Sequence, residues 1–130
     1  MIEWNDRYLT GHAKVDEDHK RLFACLNQLD AALKQGAAGG KIDEIITFLS
    51  AYTREHFVRE EKHMHLVGCP AYDENCRAHS ALVSKLDAWL AKKAAGSSTG
   101  LALEIFFETS SWIRNHIMKV DCRLRGCHAA

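Results

Sequence analysis

Proline is nearly absent from this chain, with Pro70 alone among 130 residues, and glycine is sparse at eight. Proline breaks helices and glycine loosens them, so long helices can run here without interruption. No apolar run approaches the roughly 20 residues that cross a bilayer, and the opening MIEWNDRYLTGH lacks the basic-then-apolar plan of a secretory signal. Net charge is missing too. The 17 basic and 17 acidic residues cancel, and neither sign gathers into a long run, so there is no electrostatic footprint for nucleic acid. Nor is there a C-x-x-C pair. The five cysteines, Cys25, Cys69, Cys76, Cys122 and Cys127, form an odd set that argues against a disulfide framework or a zinc ribbon. No Ser/His/Asp arrangement, phosphate-binding glycine loop or organic-cofactor signature occurs, so an organic substrate is not indicated. The expectation is one soluble, cytoplasmic domain with no membrane insertion, its 47% hydrophobic content sufficient for a single core.

What the chain does have is helical periodicity. A first stripe, His19, Leu22, Leu26, Leu29 and Leu33, predicts a helix from about Asp16 to Gln35, stopped by Gly36-Ala-Ala-Gly-Gly40. A second, Ile42, Ile45, Leu49, Tyr52, His56, Glu60 and His63 or Met64, runs from about Lys41 to Val67 and breaks at Gly68-Cys-Pro70. Asn75, His79, Leu82, Leu86 and Trp89 mark a third, from about Ala71 to Ala95. The fourth, from about Thr99 to Asp121, carries Leu101, Ile105, Phe106, Thr109, Trp112, Ile113 and His116. Short connections between helices of this length imply antiparallel neighbours, hence an all-α, up-down-up-down four-helix bundle spanning the chain as one domain. The first 15 or so residues form an arm whose Trp4, Tyr8 and Leu9 are apolar enough to pack across it.

The chemistry lies in the polar residues that interrupt these stripes. Burying a polar group without a partner costs roughly 1–3 kcal/mol, yet every helix does so: His19 in the first, His56 and Glu60 in the second, His79 in the third, His116 and then Asp121 in the fourth. One such histidine is ordinary core. In an antiparallel bundle, however, all these positions fall at one end, and imidazoles with carboxylates form a mixed N/O ligand set suited to iron, manganese or zinc. A shared metal centre is expected there.

Ordered along the chain, Val15-Asp-Glu-Asp-His-Lys-Arg-Leu-Phe23, His56-Phe-Val-Arg-Glu-Glu61, Met64 with Gly68-Cys-Pro70, and Trp112-Ile-Arg-Asn-His-Ile-Met-Lys-Val-Asp121 resemble the signatures of the hemerythrin family, in particular its single-domain bacterial members. The resemblance covers almost the whole chain. It implies a non-haem centre of two iron ions, bridged by two carboxylates and completed by five histidines, that binds O₂ reversibly as carrier, store or sensor. Carried across by position, His19 and His56 hold the iron to which O₂ coordinates, Glu60 and Asp121 bridge, and His79 and His116 serve the other iron. The fifth histidine belongs four residues before His79, and Asn75 stands there.

An amide is a weaker donor to iron than imidazole, so the second iron is expected to be weak or labile, or to keep an exchangeable position. Opening that iron would permit an alternative role, an enzyme consuming O₂, peroxide or nitric oxide; iron storage or sensing is a third. An oxygen-binding protein with O₂ or another small diatomic as partner leads, and a monomer is favoured. Of the spare histidines, His12, His63, His65 and His128, none is expected to replace the missing ligand, and Cys76, about 100° around the helix from Asn75, should miss the metal. Leu22, Phe23, Phe57, Trp112, Ile113 and Ile117 lie within a turn of the ligand positions and could form a dry gas pocket, or simply pack the bundle.

Overall fold

The apolar stripes wind into helices throughout the computed structural model, which describes residues 2–36, 39–96 and 99–119. Among the described residues a short 3-10 turn, Asp6–Tyr8, precedes four α-helices: α1 (Ala13–Lys34), α2 (Gly39–Leu66), α3 (Tyr72–Ala95) and α4 (Thr99–Lys119). No strand occurs among them, and no helix there is long and apolar enough to cross a membrane. The architecture is an all-α four-helix bundle.

Contacts between helices give their directions. Along α1, His19 meets Glu60 of α2 while the later Cys25 meets the earlier Ile45; along α2, Arg54 reaches Asp87 of α3 while Glu60 meets Asn75. His116 of α4 in turn meets Asn75. Successive helices are therefore antiparallel, and the ring closes where α4 packs on α1.

The ends of the helices follow from local chemistry. Helix α1 starts at Ala13, earlier than the stripe predicts, because the His12 imidazole caps it: Nδ1 accepts from the Val15 amide at 3.2 Å. Asp16 then anchors the arm, its carboxylate accepting from both the amide (2.7 Å) and the hydroxyl (2.8 Å) of Thr10. Helix α2 ends in a Schellman motif. Gly68 takes φ of 63°, its amide donates to His65, and the Cys69 amide donates to Met64 at 2.9 Å. Pro70 follows, and α3 begins at Tyr72 with Asp73 and Glu74 in its first turn, where the helix dipole favours acid.

The interior is layered. Leu26, Leu29, Leu49, Leu82, Leu86, Ile105 and Phe106 belong to one large apolar cluster. Trp4 and Tyr8 of the arm pack onto it, each making an edge contact with Phe23. Val15, Met64, Cys69 and Ala71 form a second, smaller cluster near the start of α1 and the α2–α3 corner. Between the two in sequence on α1 and α2 stand His19, His56 and Glu60, all buried. The α2–α3 corner thus helps close one end of a polar layer whose other side is the main core.

Candidate metal centre

Glu60 is the hub. It has no solvent exposure, and its two carboxylate oxygens face different helices. Oε2 lies 3.2 Å from His19 Nε2 on α1 and 3.0 Å from His56 Nε2 one turn earlier on α2. Oε1 lies 3.3 Å from His79 Nε2 on α3. The donor atoms fall into two groups, His19–His56–Glu60 and Glu60–His79–His116, each lying within 4.8 Å of one another. One carboxylate belongs to both.

This donor set fits a pair of N/O-preferring metal ions. Adjacent ligands around an ion with bonds of about 2.1 Å lie about 3 Å apart, which is the spacing between Glu60 and the three imidazoles that face it. Nitrogen and carboxylate oxygen without thiolate suit iron, manganese or zinc. Asp121, the other carboxylate expected here, lies outside the described residues, as do Cys122, Cys127 and His128.

Two further carboxylates hold these imidazoles from behind. Asp18 accepts from His56 Nδ1 (3.1 Å), from Arg59 Nε (2.9 Å) and Nη2 (3.0 Å), and from the Tyr52 hydroxyl (2.6 Å). Glu61 plays the same part for His79, 3.3 Å from its Nδ1. A carboxylate on Nδ1 turns Nε2 toward the metal side and makes it a better donor. Aromatic faces steady the same rings. Phe57 stacks on His79 with ring centres 3.7 Å apart, and Trp112 stacks on His116 at 4.3 Å.

The electrostatics keep the Glu60 carboxylate ionised. Burial by itself would raise the carboxyl of Glu60, but the charge of His56 and the hydrogen bonds from His19, His56 and His79 outweigh it and hold it well below the carboxylate range. The same contest holds Asp18 low: burial pushes its carboxyl up, and the bonds from His56, Arg59 and Tyr52 prevail. For Glu61 the hydrogen bond from His79 is the main downward influence. A buried, ionised cluster with converging imidazoles is the electrostatic counterpart of a cation site.

Asn75 occupies the position opposite His79 and His116. Its Nδ2 donates to Glu60 Oε1 at 2.6 Å and to Met64 Sδ at 3.0 Å, and its Oδ1 accepts from His116 Nε2. The spare histidines lie elsewhere. His63 sets its ring 3.7 Å from that of His12, which caps α1, and His65 is exposed beside Tyr72. Burial and the neighbouring His12 push His63 downward. Cys76 lies near Glu61 and Tyr72; burial pushes its thiol up to about 11, with Glu61 adding to the shift.

A cavity of about 10 Å³, room for one water-sized molecule, is lined by His19, His56 and His116 together with Leu22, Phe57, Trp112, Ile113 and Ile117. Phe23, expected in the same shell, does not line it. It turns to the arm, against Trp4 and Tyr8, because the arm covers that side of α1. Sequence reasoning also missed Asp18 and Glu61 as supports. Their signal was weak: acids directly beside His19 and Glu60 read as solvated charges until Tyr52, His56 and Arg59 are brought opposite Asp18.

A helical bundle that brings a shared carboxylate and four imidazoles together at one end is a four-helix protein with a candidate metal centre. The family comparison is more specific. Residues 10–124 match the model of the hemerythrin HHE cation binding domain, and the chain belongs to the hemerythrin family, whose members are non-haem iron, oxygen-binding proteins. It is similar to the bacteriohemerythrin of Pseudomonas aeruginosa, 30% identical over 92% of this chain and 76% of that one. The bacteriohemerythrin of Stenotrophomonas maltophilia is 28% identical, covering 93% and 77%. A hemerythrin of Themiste dyscrita is also 28% identical, covering 95% of this chain and 90% of its own.

Proposed function

We propose that this chain is an oxygen-binding protein whose centre takes two iron ions, with Glu60 and Asp121 as bridging carboxylates and His19, His56, His79 and His116 as terminal ligands. The observation that carries it is the division of Glu60 between two sets of imidazoles, since a carboxylate serving one ion would not need partners on both oxygens. When bound, ferrous iron would lend electrons to O₂ on binding and take them back on its release. The chain's own residues do the rest. Asp18 and Glu61 fix the Nδ1 protons of His56 and His79, leaving each Nε2 to the metal.

The cavity beside His19 and His56 favours reversible binding over consumption. Apart from the three imidazoles, its walls are Leu22, Phe57, Trp112, Ile113 and Ile117, which set a small neutral guest against apolar side chains and, among the described residues that line it, no carboxyl group. The experiment is to load the metal-free protein with ferrous iron under argon and follow the visible spectrum through repeated exposure to O₂ and its removal. A band that appears and disappears over many cycles without consuming reductant is expected. Steady reductant consumption, or no band at all, would refute an oxygen carrier, store or sensor.

A further inference from the structure

We propose that Asn75 makes the two halves of the centre unequal, acting as a hydrogen-bonded latch on the second half rather than as a merely absent ligand. The proposal rests on reading the cluster as a metal centre and deepens it. Chemistry orients the amide. An ionised carboxylate can only accept, so the Asn75 atom 2.6 Å from Glu60 Oε1 is Nδ2. Its other hydrogen is directed at Met64 Sδ, 3.0 Å away. Oδ1 then remains as the acceptor facing His116, whose Nε2 must donate.

Every hydrogen-bonding group of this fully buried amide is therefore used within the fold. Two of its partners, Glu60 Oε1 and His116 Nε2, are atoms that a second ion needs. The first half is arranged differently: His19 and His56 turn their Nε2 atoms to Glu60 Oε2, and Asp18 holds His56 from behind. An ion at His19–His56–Glu60 can enter without disturbing Asn75. An ion at Glu60–His79–His116 must first displace the amide from both partners. A hydrogen bond to a charged group is worth roughly ten- to a hundredfold in an equilibrium, so the second binding step is weakened by at least about tenfold relative to the first. The protein consequently has a one-metal state as a distinct form, and its second site is an exchangeable position for a divalent ion of nitrogen and oxygen preference.

The test is a stepwise titration of the metal-free protein with Co²⁺ in oxygen-free buffer, read by calorimetry and by the visible ligand-field bands of cobalt, with Fe²⁺ stoichiometry counted by native mass spectrometry. The chain as it stands should bind one ion tightly and a second about tenfold or more weakly. Asn75→Ala removes the latch and supplies no ligand, so the second step should strengthen while the first changes little. Asn75→His, which adds a donor, should strengthen it further. Two equal steps in the unaltered chain would overturn the proposal. So would an Asn75→Ala second step no stronger than that of the unaltered chain, because the amide would then be either inert or itself a ligand. Absence of any bound ion would instead overturn the metal-centre reading, and this proposal with it. Circular dichroism checks that each variant folds; if one does not, the two steps of the unaltered chain still decide between equal and unequal halves.

Discussion

Replacing Asp18 with asparagine keeps the shape of the side chain and removes its charge, so it isolates what the carboxylate behind His56 contributes. Asp18 is fully buried and accepts from His56, Tyr52 and twice from Arg59. In Asp18→Asn one side-chain oxygen can still accept from Tyr52, but the new amide hydrogens meet the donors of Arg59 or His56. Arg59 is 34% exposed and can turn to water, so its share is discounted for solvent screening. His56 is buried, and its lost charged hydrogen bond carries most of a destabilisation of about 2–3 kcal/mol. At roughly 4 °C per kcal/mol for a chain of this size, Tm of the metal-free protein should fall by about 10 °C. Metal affinity should fall about 10–100-fold, because His56 loses the partner that orients it.

The pH dependence gives the sign independently. The native carboxyl of Asp18 titrates below its ordinary value of 3.8, so its stabilisation is complete above that value and is lost as pH falls through the native one. Glu60 follows the same sign: its stabilisation is complete above its ordinary 4.5 and is lost as pH falls through its lowered native value. Thermal unfolding of metal-free protein, followed by circular dichroism from neutral to acid pH, should show the gap between the original chain and Asp18→Asn narrowing as pH drops below 3.8. Equal Tm at neutral pH, or a gap that persists undiminished in acid, would refute the reasoning.

Other expectations test the scaffold. Leu26 has no exposure in the main core, so Leu26→Ala should cost about 2–5 kcal/mol by chemical denaturation while leaving metal stoichiometry unchanged, and a loss under about 1 kcal/mol would mean the core collapses around the gap. Gly68→Ala meets nothing within 4 Å of the new methyl, so its penalty is the left-handed backbone at φ +63° alone. About 1 kcal/mol is expected, and a neutral result would show that the Schellman turn relaxes freely.

The positions of His19, His56, Glu60, His79 and His116 stood out in the chain because each is a polar residue where a helical stripe calls for an apolar one. That signal is local and needs no partner. Asp18, Glu61 and Arg59 gave no such signal, since each is an ordinary choice for a half-exposed helix face, and Tyr52, on the second stripe, read as an apolar core residue rather than as a donor. Their role exists only across the α1–α2 and α2–α3 contacts. Phe23 took the packing alternative for a related reason: its spacing from His19 places it near the candidate ligands along α1, but whether it turns to the cavity or the arm depends on where Trp4 and Tyr8 lie.

Periodicity, breakers and short connections determined four antiparallel helices and the end of the bundle at which the histidines gather. These are one-dimensional quantities, a repeat near 3.6 residues and the length of a loop, and a single chain carries them in full. Which oxygen of Glu60 faces which imidazole, and that Asn75 fills its position with an amide bonded to Glu60, Met64 and His116, was decided only by tertiary structure. Those contacts depend on the rotation and height of each helix against its neighbours. Shifts of an ångström make or break a hydrogen bond, and the packing of all four helices together sets them.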